Sequence, residues 1–167
     1  RSFKKRFYRF LESILKKIIL FFKKTKNQNL SRSALSAIYR TAKNERYLLK
    51  NNTNEVLIVH TNELISEKIF IDGSFEFLAF ERTIAIIKKF NKLNTLVDIG
   101  ANIGTTSIPA LTKGFFKNAI VIEPEIKNFR ILMSNIYLNN LEKRITAHNL
   151  ALTDKENSLL YLEIFKE

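Results

Sequence analysis

Asp98, Gly100, Asn102 and Gly104 fall at every second position, and Glu123 follows 19 residues after the last of them. These are the residue types and spacings in the chain best suited to chemistry. Thr95 to Ile99 is a short, nearly all-apolar run, as expected of a parallel strand covered on both faces. A second such run, Ala119 to Ile122, ends at Glu123-Pro124. Ligands of parallel sheets sit beyond the carboxyl ends of the strands, which is where these acids and glycines stand. Glycine takes positive φ and lets a ligand approach the backbone. Asparagine tolerates the left-handed region, so Asn102 can stand where a glycine would. Asp98 offers a carboxylate to a cationic, amino-acid-like group. Glu123 is placed to accept from both hydroxyls of a ribose.

The competing ligand is a nicotinamide dinucleotide. Its fingerprint, G-x-G-x-x-G, frees amides for a pyrophosphate. Here the second glycine position is Asn102, the third would be Thr105, and the turn opens with an acid. A cofactor carrying an ammonium and a sulfonium but no phosphate, S-adenosylmethionine, fits better. A glycine turn and a strand-end acid can also serve only to build an α/β fold. Each feature is weak alone, and their order and context give them weight.

The elements that must position these residues follow from periodicity. Strand, glycine turn, helix, strand, helix and strand succeed one another from residue 95, which implies a parallel sheet with crossovers. Pro124 suits the first turn of a helix. Ile126, Phe129, Met133, Ile136 and Tyr137 supply that helix with its buried face, and Asn139-Asn140 end it. Ile145 to Leu150 reads as a third strand, and Leu159 to Ile164 as a further one. Upstream, Thr25 to Ser31 reads as a linker, Ser33 to Lys43 as a short helix, and Asn51 to Asn54 as a loop. Val56 to Val59 and Ile69 to Ile71 read as strands, with Asp72-Gly73-Ser74 a turn. Phe75 to Phe90 fits a helix burying Phe77, Leu78, Phe80, Ile84 and Ile87. His60 and His148 read as ordinary strand residues.

Hydrophobic residues at 46% and charged residues at 26% describe a globular chain, and the absence of cysteine excludes disulfides and thiolate metal sites. Two distant histidines argue against a His-built metal site, so no metal is expected. The net charge of +12 is unevenly held. Residues 1–50 carry fifteen basic residues against Glu12 and Glu45, a net +13, which leaves residues 51–167 at −1. Residues 1–24 place Phe3, Phe7, Phe10, Leu11, Ile14 and Ile18 at helical steps, an amphipathic stripe with lysines and arginines largely off it. Its longest uncharged apolar run, Ile18 to Phe22, is too short to cross a bilayer. Such a helix either lies on anionic lipid or packs its stripe on the protein. Because its aromatic residues lie on the apolar stripe, nucleic acid is not expected as a partner.

With these residues in view, a resemblance becomes specific. Leu96 through Gly104, Val121-Ile122-Glu123-Pro124, Leu132 through Asn135, Asn139-Asn140 and Asn149 through Asp154 together resemble the FkbM family of class I methyltransferases. Asp72-Gly73-Ser74-Phe75-Glu76 is similar to the turn preceding its cofactor domain. The likeness covers roughly residues 65–164. It implies S-adenosylmethionine held by Asp98, Gly100, Asn102 and Gly104, its ribose on Glu123, and its adenine near Leu150 and Ala151. It also implies methylation of a hydroxyl on a sugar, a lipid-linked glycan or a small metabolite. The fold class expected is α/β, a truncated Rossmann-like class I methyltransferase sheet with an N-terminal amphipathic helical extension. Residues 1–50 form that extension, 51–94 a pre-domain of strands and a helix, and 95–167 the cofactor-binding half. The location expected is cytoplasmic, with membrane-peripheral contact through residues 1–24 as one reading of the stripe.

Two departures from the family qualify this. Pro109 forces the helix after the glycine turn to kink or start late. The family's later acidic strand motif is absent before residue 167, so acceptor-positioning residues and a base are expected further on. Glu76 is the candidate base within the chain, although it also suits an exposed helix start favoured by the dipole. The 167-residue piece is expected to be catalytically silent and prone to pair through an exposed apolar edge at residues 95–99. A dinucleotide-binding domain, or a non-catalytic module tethered by its basic helix, is the alternative function.

Overall fold

A computed structural model describes Ser13 and residues 28–42, 47–61, 63–90 and 93–154. The amphipathic stripe at 1–24 and the strand expected at Leu159 to Ile164 lie outside these residues, apart from the single position Ser13. The elements run α1 (Gln28–Thr41), β1 (Tyr47–Asn51), β2 (Val56–His60), α2 (Leu64–Asp72), α3 (Phe77–Ile87), β3 (Thr95–Ile99), α4 (Ser107–Thr112), β4 (Asn118–Ile122), α5 (Ile126–Leu138) and β5 (Ile145–His148). No described helix is long and apolar enough to cross a membrane.

The second half is a Rossmann-like α/β unit. β3, β4 and β5 form a parallel sheet in chain order, with Asp98 opposite Val121 and Ile122 opposite His148. The register puts Leu96, Asp98, Ala119, Val121, Ile145 and Ala147 on one face, the face that is buried or partly buried. On the other face Val97, Ile99 and Ile120 are 56%, 61% and 38% exposed. The apolar runs led us to expect cover on both faces. Among the described residues the cover lies on one.

Helix starts explain several boundaries. Pro109 is the third residue of α4, within the first turn where a missing N–H costs no intrahelical bond. The helix therefore starts late, at Ser107. Pro124 stands before Glu125, the N-cap of α5, and not inside the first turn; the Glu125 carboxylate accepts from Asn128 N at 2.6 Å. The buried face of α5 is Ile131, Leu132, Asn135 and Ile136, with Phe129 and Met133 partly buried. Ile126 and Tyr137, expected inside, are exposed. In α3, Phe77 and Ile84 are buried and Phe80 packs against the core, but Leu78 and Ile87 are exposed. β5 stops at His148, two residues short of expectation.

The first half departs further from the sequence reading. Helix α1 begins at Gln28, inside the stretch read as a linker. Tyr47–Asn51 is a strand that periodicity missed, and Asn51 belongs to it. It pairs antiparallel with β2, Tyr47 opposite His60. Ile69 to Ile71 is helical, the end of α2. Ile65, Ser66, Ile69 and Phe70 follow helical steps, and Gly73 closes the helix at φ 87° with its N–H on Ile69 O. Tyr39 of α1 donates from its hydroxyl to His60 O at 2.9 Å and to Glu63 O at 3.0 Å, docking α1 against the end of the hairpin.

Candidate functional site

The turn after β3 is defined by its amides. Gly100 N and Ala101 N both donate to Ile122 O, at 2.8 and 3.0 Å, which fastens the turn to the end of β4. Asn102 N donates to Glu123 Oε2 at 2.8 Å. Ile103 N donates to Asn102 Oδ1 at 2.7 Å, and Gly104 N to Ala101 O at 2.8 Å. All five amides from Gly100 to Gly104 are committed to protein acceptors. A pyrophosphate cradle requires such amides to be free, and none of these five is.

Each site residue expected from sequence has a definite place. Asn102 is left-handed at φ 51°, as its glycine-like position requires. Gly100 has φ 78°, and a Cβ there would meet nothing within 4 Å, so the turn is open to a ligand at that point. Gly104 differs. A Cβ there would stand 2.6 Å from Ile108 Cδ1 and 3.0 Å from Leu132 Cδ1, so this glycine permits helix packing and not ligand approach. Ile103, fully buried, plugs the turn into the core, a burial worth about 1.5–3 kcal/mol.

Asp98 lies on the helix-facing side of the sheet, against Ser107 at the start of α4, and not in open solvent beyond the strand. Burial pushes its carboxyl above the ordinary range; the Ser107 hydroxyl and amide oppose this, and the Glu123 charge adds to it. Neither Asp98 Oδ2 nor Ser107 Oγ, both buried, makes a hydrogen bond of full geometry. The carboxylate and the hydroxyl thus interact only loosely with each other behind the open glycine, and a carboxylate there suits the ammonium of an amino-acid-like ligand.

The raised pKa has a thermodynamic sign. Between the unfolded and folded values the native state binds the extra proton, so stability falls as pH rises through the folded value and is fully present below the unfolded one. Asp98→Asn is therefore expected to stabilise the chain at neutral pH and to lose that advantage in acid. Urea unfolding of both chains at the two pH values checks this. An advantage that persists or grows in acid would contradict the assignment.

Glu123 is 5% exposed, and its carboxylate is shared between the Asn102 amide and Glu125 N, at 3.0 Å from Oε1. Its second lone pairs remain for a ribose, but its first task is to tie the turn to the head of α5. Asn149 donates to Glu123 O at 2.8 Å and to Pro124 O at 3.1 Å, holding the end of β5 beside it. Leu150, 43% exposed, and Ala151 continue from there, so the third strand end borders the same opening. Glu76 is not brought to this group by any recorded contact. It caps α3, exposed at φ 52°, while α3 packs Phe77 and Phe80 on Phe115 and Phe116 and Glu81 on Lys113, beyond the far end of α4. His60 and His148 occupy β2 and β5. Among the described residues no three of His, Cys, Asp and Glu come together as a metal site would need.

Sequence reasoning gave no role to Asn135, which is completely buried in α5. Its Oδ1 accepts from Ile58 N at 2.7 Å, and its Nδ2 donates to Ile58 O at 3.1 Å and to Ile103 O at 2.9 Å. The available signal was a carboxamide on an apolar helix face, between Ile131-Leu132 and Ile136, where a polar group must have partners.

No protein-family model and no functionally curated protein matches this chain. The FkbM resemblance therefore remains one of motifs. Solved structures similar to it include TYW2 of M. jannaschii in complex with AdoMet, at 21% identity and TM-score 0.47, covering 64% of this chain and 44% of that one. The tRNA m1G37 methyltransferase of M. jannaschii matches at 22% identity and TM-score 0.44, covering 66% and 30%. A complex of aTrm5 with tRNALeu matches at 25% identity and TM-score 0.42, covering 62% and 27%. The chain spans less than half the length of each. At these TM-scores the likenesses carry no argument about its activity, and its fold rests on its own strand order and register.

They do correct one expectation. Nucleic acid was excluded as a partner, yet the similar structures include a tRNA methyltransferase and one solved with tRNALeu. The exclusion does not stand. Its physical basis was the placement of aromatic residues in an N-terminal stripe, which says nothing about a pocket that reads a base.

Proposed function

We propose that residues 95–151 are the donor-binding half of a class I methyltransferase that uses S-adenosylmethionine. The observation that carries this reading is the turn whose five amides are all spent while Gly100 stays open and Asp98 Oδ2 makes no hydrogen bond of full geometry. Such a turn disfavours a phosphate and favours a cation, which argues against the dinucleotide alternative. Asp98 and Ser107 would hold the amino-acid end, Gly100 would admit it, and Glu123 would take the ribose beside Leu150 and Ala151. The bound donor supplies an activated methyl group. The residues described here bind and orient it, and an acceptor positioned in line would gain most of its rate from alignment. The finer reading, O-methylation of a sugar, glycan or metabolite hydroxyl, is supported only by the motif resemblance.

The test is calorimetric titration of S-adenosylmethionine and of NAD into the full chain. S-adenosylmethionine is expected to bind, NAD to give no heat, and Asp98→Ala to weaken donor binding by about tenfold or more, the worth of one charge-assisted contact. Heat from NAD alone, or donor binding that ignores both Asp98→Ala and Glu123→Ala, would overturn the reading.

A further inference from the structure

We infer that Asn135 is a positioning residue that locks the donor turn to the β1–β2 hairpin, so that hairpin and turn order as one unit. The inference rests on reading residues 98–104 as the donor turn. Two asparagines one helical turn apart, Asn135 and Asn139, face the free edge of β2. Asn139 Oδ1 accepts from Val56 N at 2.9 Å and its Nδ2 donates to Val56 O at 2.7 Å. Asn135 repeats this pair of bonds at Ile58. The match is geometric: four residues rise about 6 Å along a helix and two residues about 6.6 Å along a strand. The difference lies in the remaining amide hydrogen. Asn139 returns its own to Asn135 O at 2.7 Å. Asn135 gives it to Ile103 O, in the middle of the turn.

Both amide hydrogens and the carbonyl of Asn135 are thus used, in a site with no water access. No other side chain fits. Aspartate lacks the two donors, and glutamine would displace the head group by a methylene. Asn139 supplies an internal control, since it anchors the same hairpin through the same two bonds and makes none to the turn.

The experiment compares Asn135→Ala, Asn135→Asp and Asn139→Ala in the full chain by amide hydrogen exchange without ligand, then by S-adenosylmethionine titration. Asn139→Ala is expected to speed exchange at Val56 only and to leave donor affinity within about twofold, since it breaks no bond to the turn. Either Asn135 variant is expected to speed exchange at Ile58 and at Asn102 to Gly104 together, and to weaken donor binding by about tenfold. If the Asn135 variants fail to fold, exchange in the wild type decides. Ile58 and Asn102–Gly104 must then open with one free energy and one denaturant dependence. Turn amides that open independently of Ile58, or an Asn139→Ala effect on the turn equal to that of Asn135→Ala, would overturn the inference. Because exchange is read without ligand, a chain that binds no S-adenosylmethionine sinks the proposed function but leaves this coupling to be judged on its own.

Discussion

Gly104→Ala is expected to cost the chain about 2–5 kcal/mol: about 1–2 for placing a Cβ at φ 90° and about 1–3 for overpacking. The atoms in the way are side-chain ends, Ile108 Cδ1 and Leu132 Cδ1, which would normally rotate aside. Here both residues are completely buried, in a core without room to accept them. Since a domain of this kind is stable by only about 5–15 kcal/mol, one methyl group would remove a large part of the total. Gly100→Ala isolates the cause. It meets the same backbone strain at φ 78° but open space, so only the smaller cost applies. Urea unfolding of the two variants, followed by circular dichroism, separates them. Equal losses would mean that Ile108 and Leu132 do move, and that the steric argument is wrong.

Glu123→Ala should be nearly as damaging, for an electrostatic reason. The carboxylate is 5% exposed and is the recorded acceptor for Asn102 N and Glu125 N. Removing it leaves two half-buried amides without that acceptor, at up to about 1–3 kcal/mol each. It also removes one of the ties between the turn and α5, leaving the Asn135 bond to Ile103 O, and takes away the ribose partner, so donor binding is expected to be lost. Glu123→Gln keeps the shape and one acceptor oxygen but turns an NH2 toward the other amide. Its stability should fall between wild type and alanine, and its donor affinity should fall sharply. A glutamine variant as stable and as avid as the wild type would show that the charge does not organise the turn.

How much of this was legible depended on the kind of interaction. Thr95–Ile99 and Asn118–Ile122 were readable because apolar runs ended in a glycine turn and an acid, signals carried by a few adjacent residues. Asn102 could be assigned a left-handed backbone because few residue types tolerate one. Ile69 to Ile71 was misread because three apolar residues fit a strand or a helix equally, and the deciding contacts of Ile65 and Ser66 lie a turn earlier. The directions in which Gly104 and Asp98 face were not legible for another reason. Sequence shows that a residue stands at a strand end or in a turn, but not which way its Cβ points. Gly104 faces Leu132, 28 residues away. Asp98 points into the helix layer. Asn135 stood within one of the runs that carry the family resemblance, but its role was not legible because its three partners come from two distant segments, each offering only backbone.

The pairing of Asn135 and Asn139 with β2 has a consequence for register. Val56 and Ile58 direct their amides and carbonyls to these carboxamides, while Leu57 and Val59, 2% and 0% exposed, fill the core between them. A slip of the hairpin by one residue would reverse both sets at once, exposing the apolar pair and taking every hydrogen bond off its partner. The hairpin therefore cannot creep along α5 by degrees. It is docked in one alignment or released whole.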